Sequence, residues 1–193
     1  MRYDSGGTRL RAFAPNLNHA EILRGGPGVW NAWREENPSI VPNLSGITLK
    51  LSERQMGPIN GGPINLRSAH LQGAFLRSAT LSGADLEAAD MSNADLTHAR
   101  LDRANLTAAN LRNALLGFAD LAGARLTQAN LCGANLQQAK NLTQAQIEGS
   151  LGSNATILPP HLAAPKSWLK ITSLICGSEL TIAVSGARRE DST

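Results

Sequence analysis

Residues 94–121 read ADLTHARLDRANLTAANLRNALLGFADL, with a leucine at every fifth position and an alanine two residues before each leucine. The same spacing runs through residues 64–138. Counted by fives from Leu66 to Leu136, 14 of 15 positions are Leu and the other is Met91. Two places before each of these positions stands an alanine, except at the first, which is Ile64. A fixed period over that length is an internal repeat, and it decides the fold.

A period of five fits neither a helix nor an uninterrupted strand. On an α-helix, successive leucines would be about 140° apart and would form no apolar stripe. On a strand they would alternate between the two faces, because five is an odd number. Each Leu does share a strand face with the Ala two residues before it. The pattern therefore predicts short extended pieces that turn a corner after every repeat, with the polar positions at corners and outward surfaces.

The A-[D/N]-L triplets, such as Ala84-Asp85-Leu86 and Ala104-Asn105-Leu106, resemble those of the bacterial pentapeptide-repeat proteins. The resemblance implies an all-β solenoid: a right-handed, quadrilateral (four-sided) parallel β-helix with four repeats per coil and a short N-terminal capping helix. We expect a narrow core of inward side chains, represented by Leu86, Leu106, Leu126, Ala84 and Ala104. Such a filled coil leaves no cavity for a small-molecule ligand.

The flanking segments resemble the opening and closing parts of the same family. We expect disorder in residues 1–16, a capping-helix region in 17–38, a degenerate first rung and insertion in 39–63, the repeat β-helix in 64–138, a C-terminal cap in 139–165 and an extension in 166–193. Open β-helix ends invite edge pairing unless they are covered. We expect Val29, Trp30 and Trp33 to cover the N-terminal end.

Four repeats per coil would stack every fourth repeat on the first and give the coil four faces. We number these faces by their first central leucines: Leu66 (face one), Leu71 (face two), Leu76 (face three) and Leu81 (face four). Acidic and basic residues cancel on every face, and the whole chain has a formal charge of +3. A protein that binds DNA directly needs a basic stripe. We therefore expect no direct nucleic-acid binding.

Face three carries three large apolar residues at outward positions, Phe75, Leu115 and Phe118, which we call the patch. A cluster of this kind on a polar rod needs cover. Residues 50–63 or 171–184 would fold back over it, or a second copy or another protein would bind it. Crowding that turns one ring inward is a further possibility.

The residues that enzymes and metal sites need are missing from the pattern. Four histidines stand at unrelated spacings, and no nucleotide-binding or nucleophile motif is present. We expect no enzyme activity, no cofactor and no metal. Cys132 falls at an outward position, which fits either an accessible thiol or, as we interpret it, a tolerated small residue. Two cysteines far apart in sequence argue against a disulfide framework and fit a reducing compartment. No stretch is apolar enough to span a membrane, so we expect a cytoplasmic protein.

The leading functional hypothesis is a non-catalytic, rigid protein–protein interaction or scaffold module, whose partner is either an unidentified protein or a second copy of the chain in a homodimer. The resemblance also implies an alternative, because some members of the family mimic DNA and bind DNA gyrase or related topoisomerases, as in quinolone resistance. A mimic of DNA needs an uncompensated acidic surface, since DNA carries one negative charge per roughly 1.7 Å. The cancelling charges favour the interaction module.

Overall fold

A computed structural model of the chain describes residues 19–48 and 63–170, with side chains as far as residue 168. The expectations for residues 1–16, for the insertion at 50–62 and for the tract at 171–184 lie outside the described residues. Within the described part, no helix is long and apolar enough to cross a membrane.

The repeats stack so that each one lies on the fourth repeat before it. Parallel bridges join Asn65 to Asp85, Asp85 to Asn105, and Asn105 to Arg125, and the other faces repeat this pattern. Along most of the coil the amide of the central leucine donates to the next rung, for example from Leu66 to the Asp85 carbonyl over 2.8 Å. The central leucines and their alanines are buried all along the coil. Residues 64–138 thus form a four-sided parallel β-helix.

Each corner of the coil is a tight turn with one residue in the left-handed conformation. The amide of Ala109 donates to the Leu106 carbonyl over 3.1 Å, and the corresponding bond recurs at the other corners. Ala108, inside this turn, has a φ of 56°. Twelve described residues other than glycine share that conformation, with φ between 56° and 61°. Left-handed backbone costs an ordinary residue roughly 1–2 kcal/mol, so the corners are locally unfavourable and the inter-rung hydrogen bonds hold them.

The coil continues for half a turn on its N-terminal side. Asn43 pairs with His70 and Thr48 with Phe75 through parallel bridges. The partners in these two bridges are farther apart in sequence than in the regular coil, and the extra length falls between Thr48 and Pro63. Faces two and three are therefore extended by one rung before the repeats begin.

Two helices precede this rung, α1 (His19–Arg24) and α2 (Pro27–Glu36), and Gly25-Gly26 separates them. Trp30 and Trp33 of α2 are buried, with ring centroids 5.2 Å apart. Val29, expected beside them, is instead 42% exposed. It lies about 100° around the helix from Trp30, and its Cβ and Cγ1 atoms pack beside Gly25.

Side chains of α2 form hydrogen bonds with the open edge of the first face-one rung. The Trp30 indole donates to the Asn65 carbonyl over 2.5 Å. The Asn31 amide donates to the Pro63 carbonyl over 3.0 Å, and its oxygen accepts from the Asn65 amide over 2.9 Å. These backbone groups would otherwise present an unpaired strand edge.

Arg34 continues this edge contact from the next turn of α2. Its guanidinium donates to the Ile40 carbonyl over 2.7 Å and to the Arg67 carbonyl over 3.2 Å. The residue is 9% exposed, and its Nε has no hydrogen-bond partner in the described part of the chain. Burial lowers the pKa of Arg34, and the carboxylate of Asp85 opposes that shift.

The C-terminal end closes through a gradual loss of register. Leu151 pairs with Asn130 and Ile157 with Asn135, so the register slips by one residue at the first bridge and by two at the second. Between these rungs and the last repeat lies α3 (Gln144–Glu148), which begins with a capping box between Thr143 and Gln146.

Two side chains then cover this end of the coil. The Gln146 amide donates to the carbonyls of Leu121 and Ala124, both over 2.9 Å. Trp168, in a 3-10 helix (Lys166–Lys170), is buried and donates to the Ser150 carbonyl over 3.1 Å. Its ring packs directly on Gly152, where a Cβ atom would collide with it.

Candidate interaction surface

The patch lies exposed on face three, and a fourth residue joins it. Phe75, Leu115 and Phe118 are 55%, 46% and 40% exposed, and Ile157 is 49% exposed. Phe75, Leu115 and Ile157 belong to one column, because bridges connect Phe75 to Asp95, Asp95 to Leu115, Leu115 to Asn135, and Asn135 to Ile157. We call these four apolar residues the extended patch. They account for four of the six exposed large apolar side chains among the described residues.

Ile157 could not be assigned to this face from the repeat alone. It lies beyond the last regular repeat, after the register has slipped by two residues. Counting by 20 from Leu115 reaches Asn135 and then residue 155, and residue 155 is an alanine. Only the loops at 141–156 bring Ile157 back above Asn135.

A shallow groove of about 210 Å³ runs beside Leu115 and Phe118. Its walls combine apolar groups with uncharged polar ones, and its lining residues are Thr97, Leu115, Gly117, Phe118, Asn135, Gln137 and Gln138. The His98 ring stacks on Phe118 with centroids 4.7 Å apart and planes 11° from parallel. This stacking holds the Phe118 ring at the corner of the coil, on the rim of the groove.

The chemistry of the groove suits a polypeptide. Leu115 and Phe118 can contact aliphatic side chains, and the side-chain amides of Asn135, Gln137 and Gln138 can each donate and accept hydrogen bonds. None of the lining residues is a Lys, an Arg or a His, so the groove itself holds no cationic side chain to pair with a phosphate. A phosphate backbone is bound chiefly by Lys and Arg.

Arg67 and Arg100 each lie beside a carboxylate, and several aspartates of the coil accept hydrogen bonds from backbone amides. Arg67 and Glu87 form a two-pronged ion pair at 2.6 and 2.7 Å across adjacent rungs. The guanidinium of Arg100 lies 3.8 Å from Asp102 on its own rung, and not within ion-pair distance of Asp120 on the next rung, the partner that stacking would suggest. Such exposed pairs contribute about 0–1 kcal/mol each.

Two aspartates have lowered pKa values. For Asp90, burial alone would raise the pKa. Hydrogen bonds to the carboxylate from the amide and hydroxyl of Ser92 and from the side chains of Gln72 and Asn110 outweigh the effect of burial.

For Asp120, the Asn141 amide is the main cause of the lowered pKa. Burial opposes it, and the Ala122 amide, Arg100 and Lys140 add to it. Both aspartates are therefore structural carboxylates held in their charged form.

Cys132 differs from our expectation. It is 2% exposed and is disulfide-bonded, so it is not an accessible thiol. An outward position in the repeat predicts the direction of the side chain and not its exposure. Cys176, the other cysteine of the sequence, lies outside the described residues.

Among the described residues, no three His, Cys, Asp or Glu side chains are grouped as metal ligands would be.

The resemblance to pentapeptide-repeat proteins is confirmed by a family model. The model for pentapeptide repeats matches eight copies, over residues 64–97, 99–138 and 109–151. Among curated proteins, no sequence matches this chain. Proteins of this family are generally structural or interaction modules and not enzymes.

Several solved structures of pentapeptide-repeat proteins are similar to this chain. One, Rfr23 from the cyanobacterium Cyanothece 51142, is 26% identical over 66% of this chain and 97% of that one, with a TM-score of 0.40. Another, from the thylakoid lumen of Arabidopsis thaliana, is 27% identical over 60% and 77%, with a TM-score of 0.31. QnrB1, a plasmid-mediated fluoroquinolone resistance protein, is 14% identical over 65% and 78%, with a TM-score of 0.28. All three TM-scores lie below 0.5, so the whole chains do not superimpose closely.

Proposed function

We propose that this chain, whose residues 64–151 form a domain of the pentapeptide-repeat family, is a non-catalytic interaction module that binds a protein partner through the extended patch. The observation that carries the proposal is that four of the six exposed large apolar side chains found among the described residues lie on one face of the coil. An exposed cluster of this kind marks a binding surface in a soluble protein.

The rigidity of the coil supports this role. Every rung is hydrogen-bonded to the next, and α2 and Gln146 supply partners for backbone groups at the two ends. We propose that α2 serves as the N-terminal cap, with Trp30, Asn31 and Arg34 as its functional side chains. A rigid surface binds with little loss of conformational entropy, so a small apolar patch with an amide rim can suffice for a transient partner.

The alternative, a DNA mimic that binds a topoisomerase, has less support. Residues 64–138 carry six acidic residues and six arginines. The ion pair between Arg67 and Glu87 neutralises one charge of each sign. No face is left with the continuous negative surface that a substitute for DNA requires. The interaction module remains the proposal.

Phe118→Asp tests the extended patch directly. We expect it to abolish binding or self-association without unfolding the coil, because aspartate tolerates the left-handed backbone at this corner. The control is Ala108→Asp, which adds the same charge at the corresponding corner of face one, where φ is also close to 56°. Circular dichroism checks that both variants are folded.

Light scattering across a concentration series shows whether a second copy of the chain binds the extended patch or another protein must be sought. A homodimer has twice the mass of the 20.4 kDa chain, and Phe118→Asp should return it to one chain while Ala108→Asp should not. If the protein is monomeric throughout, partner capture with the same two variants is the readout. Equal capture by both variants would remove the patch from the binding surface and refute the proposal.

A further inference from the structure

The column of face three reads the same from both ends. Beyond Thr48, parallel bridges place five residues in succession along it: Phe75, Asp95, Leu115, Asn135 and Ile157. Large apolar residues stand in the first, third and fifth rungs, and polar residues stand in the second and fourth. Leu115 is therefore the centre of a palindrome of apolar and polar residues.

A palindrome of this kind is complementary to a second copy of itself. In a two-fold dimer the same patch of both copies meets, and a residue opposite another has that pairing returned. Consider an axis in the contact plane, perpendicular to the coil and level with Leu115. It places the copies antiparallel, so that Leu115 meets Leu115, Phe118 of the same rung meets Phe118, and Phe75 meets the partner's Ile157. All four residues of the extended patch then have an apolar partner.

The polar rungs complement each other in the same arrangement. The second rung faces the fourth, so Asp95 lies opposite the partner's Asn135. The Asp95 Oδ1 accepts from the Thr97 amide and the Asn135 Oδ1 from the Gln137 amide, both over 2.9 Å. Among the described residues, these bonds leave the Asp95 Oδ2 and the Asn135 amino group for a charge-assisted hydrogen bond, which the axis forms twice.

Face four shows what an unsuitable face looks like. Its column runs through Thr80, Arg100, Asp120 and Lys140. An equivalent axis level with Asp120 would place Asp120 against itself and Arg100 against the partner's Lys140. Like charges held opposite one another disfavour association. On face three, by contrast, the axis brings no two like charges together, because Asp95 faces an uncharged rung.

We propose that the partner of the extended patch is a second copy of this chain, bound face to face and antiparallel about a two-fold axis at Leu115. The inference rests on the proposed function and names its partner. The contact covers five rungs, about 19 Å, and one five-residue side of the coil, at most about 17 Å. This footprint is small beside the roughly 800 Å² that each partner buries in a standard interface. The dimer is therefore weak and forms as the concentration rises.

An exchange of charges tests the pairing of Phe75 with the partner's Ile157. Phe75→Asp and Ile157→Lys each set a charge against an apolar side chain, so each should raise the dissociation constant at least about tenfold, measured by sedimentation equilibrium. The double variant sets Asp against Lys at both sites, and it should bind at least about threefold more tightly than either single variant. The coil tolerates both changes, since Asp95 and Lys140 already occupy the same repeat position.

Two comparisons make the exchange specific. Val41 is 50% exposed and lies outside the extended patch, so Val41→Asp adds a charge elsewhere and should leave the dissociation constant unchanged. An axis parallel to the coil would instead pair Leu115 with the partner's Phe118 and leave Phe75 opposite Ser78. In that arrangement the double variant would bind no better than the single ones, and this result would refute the antiparallel dimer.

The two proposals fail in different ways. A mass of one chain at every concentration would refute the dimer, and capture of another protein by Ala108→Asp but not by Phe118→Asp would then uphold the proposed function. A dimer that Phe118→Asp dissociates and Phe75→Asp does not would keep the extended patch as the binding surface and refute the two-fold pairing. A dimer unaffected by both would show that the copies meet elsewhere, which also refutes the inference.

Discussion

Ala108 and Ala109 are adjacent residues of the same type at which glycine should have opposite effects on stability. Ala108 has a φ of 56° and its side chain is exposed at a corner of face one. Ala109 has no left-handed backbone and is fully buried inside the coil. The pair therefore separates the backbone cost of the corner from the packing of the core.

The magnitudes follow from these two environments. Left-handed backbone costs an L-residue roughly 1–2 kcal/mol, and glycine loses roughly 0.5–1 kcal/mol more conformational free energy than alanine on folding. Ala108→Gly should therefore stabilise the coil by about 0.5–1 kcal/mol. Ala109→Gly has the same entropic cost, removes a buried methyl group worth about 0.8 kcal/mol and leaves a small cavity, so it should destabilise by about 1.5–2.5 kcal/mol.

Equilibrium unfolding in urea measures both effects. The free energy of unfolding and the slope m must be fitted together, because a repeat protein can lose its end rungs before its centre. Both alanines lie in the middle of the coil, away from the ends. If Ala108→Gly destabilises the coil by as much as Ala109→Gly at unchanged m, the left-handed corner is not the unfavourable element that we describe.

Three further predictions concern the coil ends and the acid range. Arg34→Met should lower the free energy of unfolding by about 1–2 kcal/mol, since two carbonyls lose charged donors, and it should raise dimer or aggregate formation in light scattering because the first rung becomes an open edge. The pKa of Asp90 is lowered in the folded state, so its stabilisation is complete above the unfolded pKa of about 3.9 and is lost as the pH falls through the folded value. Acid titration by circular dichroism should show that loss, and a smaller one in Asp90→Asn. Gly152→Ala should displace Trp168 from the Ser150 carbonyl, and a red shift of tryptophan fluorescence measures it.

The coil and the position of the patch follow from the sequence for a simple physical reason. A repeat of five places one inward Leu on each side, so the outward direction of Leu115 and Phe118 follows from counting. That every fourth repeat stacks on the first is what the resemblance to pentapeptide-repeat proteins implies. The count fails where the period fails. It could not reach Ile157, because the register slips by two residues before that rung.

Contacts between the repeat and its flanks leave no periodic signal. Asn31 and Arg34 bind backbone groups that are distant in sequence, on the edge of the first rung. Polar residues on a short helix can equally well face solvent, so the sequence alone does not predict that these two side chains bind the edge of the coil. Apolar character alone groups Val29 with the tryptophans, but the helical angle turns it toward Gly25. The sequence thus specifies which residues face inward, and long-range geometry decides how each end is covered.

The disulfide at Cys132 bears on where the protein works. Stable disulfides persist in oxidising compartments and are rare in the cytosol of most organisms, so this bond argues against the cytoplasmic location expected from the sequence. Alkylation of the protein in its native cells before lysis should distinguish the two. We expect no alkylated cysteine until a reductant is added. Two alkylated cysteines without reductant would favour the cytoplasm and would contradict the disulfide.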